Sequence, residues 1–294
     1  MAPEAHDVRA RAFIILQYLL PQHLLSRLVG RLARSTWRPW KNFLIRTFLR
    51  HFAVRMDEAV EPDAFAYPSF NAFFTRPLRP ELRPLAGPPE ISSPVDGTVS
   101  QAGHIDGDRL IQAKGRDFSL SSLLAGEEQL AASFAGGEFA TIYLAPYNYH
   151  RIHMPVDGGL ISTTFVPGAL FSVNTTTAAR VPALFARNER VTCIFETEAG
   201  LMAVILVGAL FVGSMSTLWT GDLARPPRSK PVRLPAPRSP VFLRRGGELG
   251  RFNMGSTVIL LFQPERVRWD RTLQAGVTVQ MGGAIGSLIA ERKP

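Results

Sequence analysis

One run sets the terms for the rest of the chain: Gly250-Arg251-Phe252-Asn253-Met254-Gly255-Ser256-Thr257-Val258-Ile259-Leu260-Leu261-Phe262. Its second half is apolar and β-rich, so it reads as a strand with Ser256 at the mouth. Gly255 permits backbone angles and a close approach that other residues resist. A serine placed there can act as a nucleophile, and its nearest electrophile is the carbonyl of Gly255 itself. The same tripeptide is also an ordinary turn before a strand. Only a base and an orienting acid elsewhere in the chain distinguish the two readings.

The 294 residues suffice for one large core or two unequal domains. The net charge of +9 is localised, because ten Lys/Arg and no Asp/Glu fall between Arg9 and Arg55 and the remainder is near neutral. A body that binds nucleic acid is therefore not expected. A local contact of the N-terminal segment with an anionic surface is. Residues 8–55 read as helices. Leu24, Leu25, Leu28, Val29 and Leu32 share one face, Leu44, Phe48 and Phe52 repeat at i+4 beside Arg46 and Arg50, and Trp37 and Trp40 flank Pro39. That pattern describes a helix pair lying in a membrane surface or a cap packed on the protein's own core, and the membrane is the expectation. Each basic residue near an anionic leaflet contributes roughly 1 kcal/mol.

No stretch approaches the roughly 18 apolar residues of a span. The best, Phe13 to Leu20, contains Gln17 and stops at Pro21. No small-x-small cleavage site follows it, so a signal peptide is not expected. Cys193 is the only cysteine, which excludes an internal disulfide and a Cys-rich zinc site and fits a reducing compartment. Its flanks read as a strand, so it is a buried structural thiol.

After residue 56 the texture changes, giving an expected division into a membrane-associating helical segment, 1–56, and a catalytic domain, 57–294. Pro80 to Pro89 looks like a linker on the surface. Asp96-Gly97 reads as a hairpin turn or as an acid before a strand. Leu120 to Leu130 suggests a short helix, Phe139 to Leu144 a strand, and Arg190 to Glu196 with Leu201 to Val207 a hairpin. Arg225 to Gly247 reads as a surface loop, and Thr257 to Phe262 and Val277 to Met281 as the last strands. Between them lies Tyr147-Asn148-Tyr149-His150-Arg151-Ile152-His153-Met154-Pro155. As metal ligands His150 and His153 lack a third partner, so no metal is expected; a general acid or base is the better reading. Asp96, His153 and Ser256 then supply acid, base and nucleophile, and such sets are recognised by role rather than by order. The Gly-x-Ser-x-Gly elbow of many serine hydrolases is missing. A lipid-acting serine hydrolase and a silent membrane-binding scaffold stand as rivals.

His150-Arg151-Ile152-His153-Met154-Pro155, Phe171-Ser172-Val173-Asn174, Phe185-Ala186-Arg187-Asn188-Glu189-Arg190 and Gly255-Ser256-Thr257 together resemble the bacterial and mitochondrial phosphatidylserine decarboxylases. Phe70-Asn71 through Arg76-Pro77-Leu78 and Gln112-Ala113-Lys114-Gly115 extend the likeness, which runs from about Phe13 to the end. Met254 stands where that family most often has Leu.

The resemblance implies a proenzyme that cuts itself between Gly255 and Ser256 into chains 1–255 and 256–294. Ser256 becomes a covalent pyruvoyl cofactor, which decarboxylates phosphatidylserine to phosphatidylethanolamine through a Schiff base. No ordinary side chain is an electron sink, which is why such a carbonyl is needed. By the same resemblance Asp96 orients His153, His153 deprotonates Ser256, and His150 protonates the carbanion. A lipid substrate accounts for the basic N-terminus and implies a peripheral enzyme on the cytoplasmic face of the cell membrane. Family members are often homodimers, but nothing in the sequence identifies an interface. The implied fold is α+β: N-terminal amphipathic helices on a β-rich, barrel-like sandwich body.

Overall fold

The computed structural model describes residues 3–113, 116–211, 214–223 and 230–289. Its body is arranged about the strand Ser256–Phe262, which is buried at every position. This strand pairs antiparallel with Glu138–Leu144 on one side and Gly200–Val207 on the other. Successive side chains point to opposite faces. Val258, Leu260 and Phe262 therefore enter one core, while Ile259 and Leu261 enter another. An apolar run without alternation is what a strand covered on both faces requires. The sheet continues through Arg190–Thr197 and Gly158–Val166 in one direction and Gly97–His104 and Thr278–Val279 in the other.

Two smaller antiparallel sheets cover the first face. One holds Gly221–Leu223, Met215–Thr217, Glu248–Phe252 and Arg151–His153; the other holds Glu90–Ser92, Ala284–Leu288 and Val267–Trp269. They bring Ile152, Leu249, Phe252 and Ile285 into the first core. Helices Leu120–Leu123, Glu128–Phe134 and Leu184–Arg187 cover the second face. The α+β expectation holds, and the stacked sheets form a sandwich. Barrel closure does not occur among the described residues: the sheet ends at two-residue strands, Thr278–Val279 on one edge and Val232–Arg233 with Phe242–Leu243 on the other. The latter two belong to the expected surface loop, whose residues 225–229 lie outside the described ones.

Several residues of the resemblance motifs are staples of this core. The Gln112 amide donates to Ala178 O and Val181 O (2.7 and 2.8 Å) and accepts from Leu184 N (2.7 Å). Asn188 ties Phe171 to Gly208, and the buried Arg190 guanidinium donates to the Leu123, Ser122, Ala186 and Asn188 carbonyls. Lys114 and Gly115 lie outside the described residues.

Helix α1 (Pro3–Leu19) meets α2 (Gln22–Ala33) at Pro21 with an 89° bend. No single helix among the described residues is long and apolar enough to cross a membrane. The pair docks through polar side chains: Gln17 Oε1 accepts from Ser172 N (2.7 Å), Gln22 Oε1 from Leu170 N (2.6 Å) and Ser26 Oγ from Phe211 N (3.1 Å). The side of α2 facing the body is made of small residues, Ser26, Gly30 and Ala33. Its leucines face outward: Leu24, Leu28 and Leu32 are exposed, as are Leu19 and Trp37. Helix α3 (Arg38–His51) behaves differently. Phe48 packs edge-on against Phe70, Phe73 and Phe74 of α4 (Phe70–Phe74). So the packed-cap reading describes the apolar face of α3, and the leucine face of α2 is left uncovered.

Candidate active site

The turn from Glu248–Phe252 into the central strand is tight. Met254 has φ 109° and Gly255 φ 46°. Glycine takes a left-handed angle freely, whereas a residue with a Cβ held there stores about 1–3 kcal/mol. Asn253 braces the turn from behind. Its amide nitrogen lies within 3.0 Å of Ser214 Oγ, Ser216 Oγ and Asp222 Oδ1, and its oxygen accepts from Asn71 Nδ2 (3.1 Å). Ser256, the next residue after the strained pair, is 1% exposed, and its hydroxyl has no hydrogen-bond partner.

Ser256 pairs with Leu144, so the segment following Leu144 crosses this end of the sheet. It carries the two histidines. His150 is fully buried, its ring tilted at 56° against Phe74 with centroids 4.1 Å apart, and its carbonyl accepts from Phe252 N (3.0 Å). Its Nδ1 lies 2.8 Å from Asn148 O. A carbonyl can only accept, so Nδ1 carries the proton and Nε2 holds a bare lone pair. That Nε2 is buried with no partner, like the serine hydroxyl. Burial pushes the imidazole down to about 3; the Asn148 bond opposes this and the Arg76 charge adds to it.

His153 is differently engaged. Nδ1–H donates to Gly246 O (2.7 Å), so Nε2 is the acceptor and receives the Tyr149 hydroxyl (3.0 Å). Burial lowers its pKa, and the Gly246 bond partly offsets that. Asp96 does not hydrogen-bond His153; it reaches the ring only as a more distant charge. Its oxygens are taken by Arg83, with Nε to Oδ1 at 3.1 Å and Nη2 to Oδ2 at 2.6 Å, and by Met281 N at 2.8 Å. Arg83 Nη2 also reaches Glu58 Oε2 (2.6 Å). Asp96, His153 and Ser256 are therefore all buried but are not linked to one another by hydrogen bonds.

Residues 70–287 match the family model for phosphatidylserine decarboxylase, and residues 12–53 match a second model, PSD. The phosphatidylserine decarboxylase proenzyme of Pseudomonas putida (strain GB-1) is 54% identical over 278 residues, 94% of this chain and 97% of that protein. The chain belongs to the phosphatidylserine decarboxylase family. Proteins of the same name from Pseudomonas fluorescens (strain Pf0-1) and Ectopseudomonas mendocina (strain ymp) are each 52% identical, over 281 and 283 residues, covering 95% of this chain and 98% and 99% of theirs. The resemblance read from separate motifs thus holds over nearly the whole length, and it makes this chain a decarboxylase by family.

The matched span contains Asp96, His150, His153 and Ser256, and also three residues to which sequence reasoning assigned no role: Arg76, named only within a motif of the likeness, Arg83 and Tyr149. Arg83 sits inside the proline-rich stretch read as a surface linker, yet its side chain is only 3% exposed. The one available signal was an arginine recurring among prolines, which composition cannot separate from a solvated charge. Tyr149 was visible only as a neighbour of His150.

Proposed function

We propose that this enzyme decarboxylates phosphatidylserine to phosphatidylethanolamine after cutting itself between Gly255 and Ser256. The observation that carries the reading is the Ser256 hydroxyl: buried, unpartnered and directly after a strained Met254–Gly255 turn. Ser256 Oγ attacks the Gly255 carbonyl, the Gly255–Ser256 amide bond breaks, and an ester with a free Ser256 amine results. Loss of the Ser256 α-proton then expels the Gly255 carboxylate, leaving dehydroalanine. Water replaces its nitrogen, ammonia leaves, and residue 256 ends as a pyruvoyl group. Strain released at Met254 favours the first step, and exclusion of water favours the ester over hydrolysis.

The pyruvoyl group supplies a carbonyl that takes up the substrate amine and the electrons freed with carbon dioxide. The chain's own residues do the remaining work. In the family-based assignment Asp96 orients His153, His153 removes the Ser256 proton and His150 returns a proton to substrate; here Asp96 acts on His153 only as a distant charge. For that, His153 Nε2 must exchange its Tyr149 bond for one to the serine. The free Nε2 of His150 supports a second reading in which His150 is the base for self-cleavage. A denaturing gel separates them. His153→Ala staying full length while His150→Ala is cut supports the first, and the reverse supports the second. Two cut variants contradict both. An intact wild-type chain that reacts with a fluorophosphonate at Ser256 would point to the hydrolase instead.

The same reading puts the enzyme peripherally on the cytoplasmic face of the cell membrane. The outward leucines of α2, flanked by exposed Arg27, Arg31 and Arg38, support it. So does an apolar cavity of about 400 Å³ lined by Leu32, Trp40, Phe48, Phe52 and Met254, which runs from that face to the residue before Gly255.

A further inference from the structure

Arg76 follows α4 and is 3% exposed. Its Nε and Nη1 have no hydrogen-bond partner, and Nη2 reaches only Tyr147 O at 3.4 Å. Its guanidinium carbon lies 5.7 Å from the centroid of the Phe73 ring. The carboxylates whose charge it feels, Asp96 and Glu58, are both bonded to Arg83, and Glu248 is bonded to Arg151. Burying a cation without a counter-ion is costly, and unlike Arg190, whose guanidinium is spent on carbonyls, Arg76 keeps free donors with which to receive an anion. Burial accordingly lowers the Arg76 pKa, and its charge is felt at His150. Arg76 and His150 are both buried with unused hydrogen-bonding capacity, and both lie against the end of α4, Arg76 on Phe73 and His150 on Phe74.

We infer that Arg76 holds an oxyanion of the substrate headgroup, specifically its phosphodiester; this rests on the phosphatidylserine reading above. Phosphatidylserine carries two anions. Its carboxylate loses its charge as carbon dioxide forms, so a cation fixed on it would stabilise the reactant more than the transition state. The phosphodiester keeps its charge from substrate to product, and the planar guanidinium fork suits it. Met254 packs on the Phe70–Phe73–Phe74 cluster against whose Phe73 ring Arg76 lies, so the residue before Gly255 and the arginine share one aromatic cluster.

The test compares wild type, Arg76→Gln and Arg76→Lys as purified, self-cleaved enzymes. Each is assayed for phosphatidylserine turnover in mixed micelles and for binding of a short-chain phosphatidylethanolamine and of its methyl phosphotriester, whose phosphate carries no charge. Arg76→Gln should be cut normally, with KM raised roughly 10- to 100-fold, kcat changed far less, and product affinity lowered by a similar factor. Arg76→Lys should recover part of both. Unchanged KM in a cleaved Arg76→Gln enzyme overturns the inference. So does a raised KM with unchanged product affinity, which would place the arginine on the carboxylate. If Arg76→Gln fails to fold, wild type decides: it must prefer the product with its anionic phosphodiester to the triester by the same factor, and equal affinity overturns the inference. A wild type that does not decarboxylate phosphatidylserine at all would fault the underlying reading, not the arginine alone.

Discussion

Arg83 offers the sharpest structural prediction. Its guanidinium makes three charge-assisted bonds, two to Asp96 and one to Glu58, with side-chain exposures of only 3%, 9% and 13% for the three residues. Replacing Arg83 with Met keeps much of the stem but leaves Asp96 without its cation and with only the Met281 N–H, while Glu58 keeps Arg55 at 2.7 Å. Removing one member of a buried ion pair costs about 3–5 kcal/mol, most of it from the stranded charge. At roughly 2–4 °C per kcal/mol for larger domains, the melting temperature should fall by about 10 °C. The assay is calorimetry in a Ser256→Ala background, so that a single chain unfolds. Adding Asp96→Asn to Arg83→Met should restore part of the loss, because the stranded charge is then gone. A melting temperature within about 2 °C of the parent would refute the reasoning, since that is less than 1 kcal/mol.

Acid should destabilise the protein through His150, which stays neutral when folded down to about pH 3. Below its ordinary value near 6.5 the unfolded state binds the extra proton, so stability is level above pH 6.5 and falls as pH drops toward 3. By pH 5 the loss from this group should be on the order of 2 kcal/mol, measured by urea unfolding in the Ser256→Ala background, and His150→Gln should flatten the slope. Parallel profiles for the two proteins would remove His150 from the acid response. On α2, Gly30→Leu should cost about 1–3 kcal/mol, because that side packs on the body. Leu24→Ser with Leu28→Ser should leave thermal stability nearly unchanged yet weaken binding to anionic vesicles at least roughly tenfold. Unchanged vesicle pelleting would remove the leucine face from membrane binding.

Local patterns made much of the fold readable. The central strand and the hairpin Arg190–Thr197/Gly200–Val207 carry their signal within a few residues, and both formed as expected. The helix read over Leu120 to Leu130 is instead two, because Ala125 and Gly126 both take left-handed angles (φ 68° and 82°). The strand expected over Val277 to Met281 shrinks to Thr278–Val279, because Val277 N turns back to Gln274 O and Met281 N is drawn to Asp96, and a further strand, Ala284–Leu288, follows it. Asp96 makes no hairpin, since the ion pair with Arg83 overrides the local turn preference of Asp-Gly.

The site was legible by residue type and not by bonding. A serine after glycine and two histidines among tyrosines point to chemistry. Which histidine nitrogen is free depends on the carbonyls of Asn148 and Gly246, and the second comes from a segment over ninety residues away. The unpaired state of Arg76 is likewise a three-dimensional fact. In α2 the hydrophobic pattern identified a face correctly, but not that the body would take the small residues opposite it.

The most direct test of the self-cleavage account is an intact-mass spectrum of the purified protein, taken beside Ser256→Ala. The account predicts two wild-type fragments: one ending at Gly255, and a shorter one beginning at residue 256, lighter by one ammonia than a serine-started chain and blocked to N-terminal sequencing. Ser256→Ala should give a single full-length mass. A single intact wild-type chain that still converts phosphatidylserine to phosphatidylethanolamine would contradict it.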